Sequence, residues 1–419
     1  MSAFDKVIGY EEVKDELRTI CDMIRNPERY AALGAVMPRG VILYGEPGVG
    51  KTLMARAFAQ ESGRKTYILR RDKPNGSFIT EMNDIFSQAA ENTPSVIILD
   101  DMDKYKTDKN SNEEFTALQA CIDNVQSVDV FVIATANDMS MPESLLRAGR
   151  FGHKIEINAP RDETAVAIIR HYMSTKGFVE DINTEDIAKM LNGCSCAELE
   201  SLLNAAARYA GFEEADKIDM RHIVRAHLSE QFECERAQAT EKERIRVAYH
   251  EAGHLVVGEA IKKGSIGFAA ICPESASDCK GVVVRCADCD KLAGNVLIFL
   301  AGRAAEEITF GTTDSGSEMD ITKAMRTIRE LVTSGCACGL NWCDFMGYSR
   351  SEDLKSSQGI ACRVLLEQYM RRARIILAQN RALLDAVASA LSEKGVLLYS
   401  DIRRLVEKYS PVSAAEFAE

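Results

Sequence analysis

Two short stretches of this 419-residue chain place reactive side chains at spacings that chemistry can use. The first is Gly45-Glu46-Pro47-Gly48-Val49-Gly50-Lys51-Thr52, which fits the pattern G-x-x-x-x-G-K-[ST]. Glycines so spaced let successive backbone N–H groups turn inward around phosphate oxygens. A helix beginning at Lys51 would add the partial positive charge of its N-terminus. Lys51 would bring a full charge to the outer phosphates of ATP, and the Thr52 hydroxyl would bind its Mg²⁺. The second stretch is His250-Glu251-Ala252-Gly253-His254. Histidines four apart share one face of a helix and can bind one Zn²⁺ through neutral imidazoles. Glu251 beside them is the candidate general base for a water that the ion activates. The chain has only six histidines, and two of them stand in this pattern.

Other polar residues gather around each stretch. Val96-Ile97-Ile98-Leu99-Asp100-Asp101 ends an apolar run on two carboxylates. Asp100 is the candidate on the Mg²⁺ side, and Asp101 the candidate to orient attacking water. Asn137 closes Val132-Ile133-Ala134-Thr135-Ala136-Asn137, placed to hydrogen-bond water or the γ-phosphate. Arg147 and Arg150, in Leu146-Arg147-Ala148-Gly149-Arg150-Phe151, follow a nucleotide core and are candidate arginine fingers toward a neighbouring subunit. For the zinc, spacing alone does not select a third ligand among Glu274, Glu306, Glu307 and Asp320. Glu306 and Glu307 could equally orient a histidine.

The elements that must hold these residues can be read from periodicity. Val41–Tyr44, Val96–Leu99 and Val130–Ala134 read as buried parallel strands, with helices over Glu11–Ile24, Lys51–Glu61 and Phe78–Glu91. Their alternation predicts an α/β P-loop core over residues 1–158. Four helical patterns then predict a small helical lid over 159–230, followed by a polar linker at 231–239. A mainly helical domain over 240–419 carries the His-Glu-x-x-His stretch. Thr240-Glu241-Lys242-Glu243 is a capping box and Gly264 a stop, so the metal helix is expected over Glu241–Lys263. Residues 266–286 read as an extended stretch.

Bulk properties exclude several classes. A net charge of −12 without a Lys/Arg cluster argues against a nucleic-acid partner. No apolar run reaches the ~20 residues that span a bilayer. Thirteen scattered cysteines and no signal-peptide pattern predict free thiols in a reducing cytoplasm. The two close cysteine pairs, Cys286/Cys289 and Cys336/Cys338, fit no familiar zinc knuckle.

Taken in order, these motifs resemble the FtsH family of membrane-anchored AAA+ zinc proteases along nearly the whole chain. The segment from Phe4-Asp5-Lys6-Val7-Ile8-Gly9 to Lys51-Thr52 is similar to the family's ATPase entry. Leu146–Phe151 resembles its arginine-finger segment, which implies a homo-hexameric ring with Arg147 and Arg150 acting in trans. Gly193-Cys194-Ser195-Cys196-Ala197-Glu198-Leu199 resembles the lid turn at adenine, which implicates Ala197. Ala301-Gly302-Arg303-Ala304-Ala305-Glu306-Glu307 resembles a peptidase-domain signature. Ser315-Gly316-Ser317-Glu318-Met319-Asp320-Ile321 resembles the segment bearing the family's aspartate ligand, so the resemblance selects Asp320. It implies protein substrates, ATP with Mg²⁺, and Zn²⁺. Departures from the family pattern carry expectations of their own. No transmembrane segment is present in the chain. Asp100-Asp101 replaces Asp-Glu, which implies slower hydrolysis. The pore-loop aromatic is missing near Lys73-Pro74-Asn75-Gly76, where Phe78 or Met82 would have to substitute. Asp123-Asn124-Val125 replaces an Asp-Gly-Phe signal between subunits.

Overall fold

Val41–Tyr44, Val96–Leu99 and Val130–Ala134 form the centre of a parallel sheet, as their unbroken apolar character requires. The computed structural model describes residues 2–71, 78–105, 113–147, 149–231, 240–275, 278–286, 292–313, 318–333 and 352–414. In chain order its elements begin with α1 (Glu11–Arg25), α2 (Pro27–Ala32), β1 (Gly40–Tyr44), α3 (Lys51–Ser62), β2 (Lys65–Arg70) and α4 (Phe78–Glu91). There follow β3 (Ser95–Asp100), α5 (Glu113–Asn124), β4 (Val130–Ala136), β5 (His153–Glu156), α6 (Asp162–Ser174), α7 (Thr184–Met190), α8 (Cys196–Phe212) and α9 (Met220–Gln231). The remainder are α10 (Glu241–Ile261), β6 (Ile266–Ser275), β7 (Asp278–Arg285), α11 (Leu292–Phe310), α12 (Glu318–Thr333), α13 (Glu352–Gln379), α14 (Arg381–Lys394), β8 (Val396–Leu398) and α15 (Tyr399–Tyr409). The chain divides into two compact units. One comprises Met1–Lys176 with Gly193–Asn204, the other Gly177–Asn192 with Ala205–Glu419.

In the first unit the strand order is β2-β3-β4-β1-β5, all parallel. β3 and β4 are buried at every position. Alternate residues feed two cores: Val96 and Ile98 pack with Phe58 and Phe131 on one face, Ile97 and Leu99 with Phe86 and Tyr105 on the other. The edge strands β2 and β5 bury far less and carry Lys65, Thr66, His153 and Lys154, so they lack the apolar run that marks a central strand. The registers Tyr44↔Ala136 and Leu99↔Ala134 bring the carboxyl ends of β1, β3 and β4 together. Loop 45–50, Asp100, Asp101 and Asn137 therefore leave the sheet side by side, where α/β sheets bind ligands.

Phe78 and Met82 do not replace a pore aromatic. Both are buried in the core, with Phe78 edge-on to Tyr105 at a centroid distance of 4.8 Å. Among the other sequence readings, Lys73–Gly76, Ala148, Ser315–Ser317, Cys289, Cys336, Cys338 and linker residues 232–239 lie outside the described residues.

The second unit is built around α10. Thr240 and Glu243 form the expected capping box: Glu243 N donates to Thr240 Oγ1 at 3.3 Å, and Thr240 N to Glu243 Oε2 at 2.8 Å. The helix ends at Ile261, and Gly264 follows in the left-handed region at φ 79°. Glu259 secures this turn by accepting from Gly264 N at 2.8 Å and Ile266 N at 3.0 Å. From His250 to Ala260 every residue is buried, with α11, α13, α14 and the antiparallel sheet β7-β6-β8 packed around the helix. A helix enclosed on all sides has no polar stripe.

Gly253 sets the approach of α11: a Cβ there would lie 2.5 Å from Ala301 O and 2.8 Å from Ala305 Cβ. Gly253→Ala is therefore expected to destabilise the unit by about 1–3 kcal/mol through overpacking. A denaturant midpoint equal to that of the wild type would refute this.

Candidate nucleotide and metal sites

The phosphate-loop glycines take the conformations their role demands. Gly45, Gly48 and Gly50 have φ of 144°, 81° and 98°. Glu46 and Pro47 are exposed at the tip, and Val49 anchors the loop in the core at 1% exposure. Gly50 is the left-handed N-cap of α3, so Lys51 opens the helix directly behind the loop. Lys51 Nζ donates to Gly45 O and Glu46 O at 2.7 Å and to Asn137 Oδ1 at 3.0 Å. Burial lowers the Lys51 pKa from its usual value, against the opposing pull of Asp101, Asp103 and Asp100.

Asp100 Oδ1 accepts from Thr52 Oγ1 at 2.7 Å and from Thr135 Oγ1 at 2.8 Å. Thr135 Oγ1 in turn accepts from Asp101 N at 2.9 Å, so one hydroxyl on β4 holds both the Asp100 carboxylate and the Asp101 backbone. Asp101 sits in the left-handed region at φ 54°, and Lys104 Nζ donates to its carboxylate at 2.7 Å. Ala197 N donates to Gly48 O at 3.1 Å, which lays the first turn of α8 on the phosphate loop. The donor set suits a magnesium nucleotide: a lysine and a helix N-terminus for phosphates, a hydroxyl paired with a carboxylate for the metal.

Sequence reasoning missed Asp103, although it lies three residues beyond Asp100 at the same strand exit. Its carboxylate accepts from Asn137 N at 2.9 Å and Asn137 Nδ2 at 3.0 Å, which turns Asn137 Oδ1 toward Lys51. Asp103→Ala is expected to lower ATP turnover on the order of 10- to 10²-fold through misplacement of Asn137, with a much smaller change in nucleotide Kd. Steady-state turnover measured beside a fluorescent-nucleotide titration checks this split.

The two arginines differ. Arg147 is exposed. Arg150 forms a forked pair with Asp123, Nε to Oδ1 at 2.9 Å and Nη2 to Oδ2 at 2.6 Å, which holds the Asp123 pKa below its usual value.

At the second site, His250, His254 and Asp320 converge, their ligand atoms all within 4.8 Å of one another. Both Nε2 atoms lie 3.3 Å from Asp320 Oδ2. His250 Nδ1 faces Glu306 Oε1 at 2.7 Å, and His254 Nδ1 faces Ile298 O at 2.6 Å. Those acceptors assign the proton of each neutral ring to Nδ1 and turn the Nε2 lone pairs toward the carboxylate. Lone pairs so opposed need a cation between them. Ligands about 2.0–2.1 Å from a tetrahedral zinc stand about 3.3–3.4 Å apart, so the donor set and its spacing fit Zn²⁺.

The charges gathered around the site express the same demand for a cation. Burial works against a charged His250, but Asp320, Glu306 and Glu251 outweigh it and raise the imidazole pKa to about 10. Burial likewise opposes a charged Asp320, yet His250 and His254 hold its carboxyl far below the usual range. Glu251 is pushed above the usual carboxylate range by burial, with His250 and His254 opposing, which favours a base that works nearer neutral pH.

The other carboxylates have different work. Glu306 accepts from Arg246 Nη1 at 2.8 Å as well as facing His250, the orienting arrangement open to it from the sequence. Glu307 pairs with Arg303 at 3.2 Å and Arg374 at 2.6 Å. The side chain of Glu274 lies outside the described residues.

Fold and sites together define a chain that joins a P-loop ATPase module to a zinc-peptidase module. Family models agree: residues 41–159 match the ATPase family associated with various cellular activities (AAA), 181–225 the AAA+ lid domain, and 237–405 peptidase family M41. The chain is 30% identical to the ATP-dependent zinc metalloprotease FtsH 1 of Thermomicrobium roseum, over 97% of its own length and 68% of the relative's. It is 29% identical to the ATP-dependent zinc metalloprotease FtsH of Chloroflexus aggregans, over 98% of its own length and 69% of the relative's. It is also 29% identical to FtsH 2 of a Thermoanaerobacter species, over 97% and 83% respectively. Part of each relative lies outside the match. The chain belongs to the FtsH family of ATP-dependent zinc metalloproteases. Its cofactors are accordingly Zn²⁺ and ATP with Mg²⁺. Among the described residues no helix is long and apolar enough to cross a membrane.

Proposed function

We propose that this chain is an ATP-dependent zinc metalloendopeptidase that degrades unfolded or selected proteins in a cytoplasmic homo-hexameric ring. The observation that carries the reading is the convergence of His250, His254 and Asp320 beside the buried carboxyl of Glu251. Those three residues would hold zinc, whose Lewis acidity lowers the pKa of water and polarises a carbonyl. Glu251 would take the proton from the attacking water and pass it to the leaving amine. Glu306 and the Ile298 carbonyl keep the imidazoles turned to the site.

In the ATPase, residues 45–52 with Asp100 would hold nucleotide and Mg²⁺, and Ala197 would border the adenine. Asp101 would orient water with Asn137, while Arg147 and Arg150 act in trans. The domain limits proposed are 1–158 for the nucleotide-binding part, 159–230 for the lid, 231–239 for the linker and 240–419 for the peptidase. The ring and the trans arginines rest on the segment Leu146–Phe151. Nucleic acid is not a proposed partner, because the chain is acidic.

A second reading, a nucleotide-gated assembly ATPase with weak peptidase activity, is favoured by the Asp101–Lys104 pair at 2.7 Å, which restrains the water-orienting carboxylate. Incubation with casein, with and without ATP and a zinc chelator, separates the two. Cleavage that needs both zinc and ATP supports the motor protease. Zinc-dependent cleavage indifferent to ATP limits the ATPase to assembly. Zinc-loaded protein that does not cut at all favours the second reading.

A further inference from the structure

Two glycines outside both motifs face the peptidase residues, one from α11 and one from β7, and the structure assigns them separate duties there: Gly302 keeps the metal position open, and Gly281 keeps the Glu251 carboxyl in place. The assignment rests on the zinc-peptidase reading of the site. Gly302 lies on α11 with its Cα hydrogen turned to the histidines. A Cβ at that position would stand 2.5 Å from His250 Nε2 and 2.6 Å from His254 Nε2. A point so close to both ligand nitrogens competes directly with an ion bound about 2.0–2.1 Å from each. The imidazoles cannot swing aside without cost, because Glu306 and Ile298 O fix their other nitrogens.

Gly281 lies on β7, paired with Ile271 of β6. A Cβ there would overlap the Cγ, Cδ and Oε1 atoms of Glu251. The cheap relief is rotation of the Glu251 side chain, and a general base cannot move away without losing its proton transfer. Neither glycine has positive φ, so neither is needed for backbone conformation. What requires them is the space taken by a side chain, and in each case the atoms displaced belong to the reaction.

Gly302→Ala and Gly281→Ala, made in the full chain, test the two duties by different readouts. For Gly302→Ala the expected result is zinc affinity weakened by more than about 10²-fold in competition with a chromophoric chelator. The rise in Tm that added zinc gives the wild type should vanish with it, while the metal-free Tm falls by only the few degrees that overpacking costs and ATP turnover stays unchanged. For Gly281→Ala the expected result is wild-type zinc content and Tm shift, with peptide hydrolysis down by about 10²-fold or more. Wild-type zinc affinity in Gly302→Ala, or full turnover in Gly281→Ala, overturns the corresponding assignment. A Gly302→Ala protein that unfolds, or melts well below metal-free wild type, also overturns it, because the glycine would then serve packing. If wild-type protein itself binds no zinc, the peptidase reading fails, and the assignment fails with it.

Discussion

Glu251→Gln should leave zinc bound and lower peptide hydrolysis by about 10²–10⁴-fold, the range a positioned general base contributes. The amide has nearly the shape of the carboxylate but cannot accept the proton. Glu251 is buried at 6% exposure and is not among the three converging ligand atoms, so the metal has no reason to leave. Zinc content of the dialysed protein, measured beside cleavage of a fluorogenic peptide, separates loss of base from loss of metal. Full turnover in a zinc-loaded Gln variant would remove Glu251 from the chemistry.

Asp320→Ala should do the reverse and empty the metal centre. Its carboxylate oxygen lies 3.3 Å from both Nε2 atoms and supplies the negative charge of the donor set. Loss of a partner that only orients a ligand typically weakens metal binding about 10–100-fold, as expected for Glu306→Gln. Loss of the ligand itself should exceed about 10²-fold, and peptide hydrolysis should disappear with it. ATP turnover should be retained, because none of these residues belongs to the unit that carries the phosphate loop. Chelator treatment of wild-type protein should reproduce the phenotype and added zinc reverse it. An Asp320→Ala protein that keeps stoichiometric zinc would return the third ligand to the open set of carboxylates.

What could be read in the sequence was local, and what escaped was long-range. The phosphate loop and the metal helix are contiguous stretches, so spacing alone carried their geometry. The same holds for the capping box at Thr240 and Glu243. Central strands were legible because burial on both faces demands an unbroken apolar run. β2 and β5, half-exposed at the sheet edges, offer no such run. The third ligand could not be read from spacing, since Asp320 reaches His250 across 70 residues of chain. Asp103 escaped because its partner is Asn137, just beyond the end of β4, and Thr135 because a threonine in a buried strand looks like β-propensity until its hydroxyl is seen between the Asp100 carboxylate and the Asp101 amide. Phe78 and Met82 were misread because an apolar residue near an expected surface loop cannot be told from a core residue before its helix is placed.

The enclosure of α10 has a consequence for how this protein can vary. A typical helix offers a wet side on which substitutions accumulate without penalty. Between His250 and Ala260 there is no such side, so a saturation library over these positions should yield almost no tolerated polar replacement, at reactive and unreactive residues alike. Intolerance there cannot identify which residues are catalytic. On the function proposed above, the segment that would perform the hydrolysis also has little freedom to drift, and assays of chemistry, rather than of survival, are needed to tell its two kinds of indispensable residue apart.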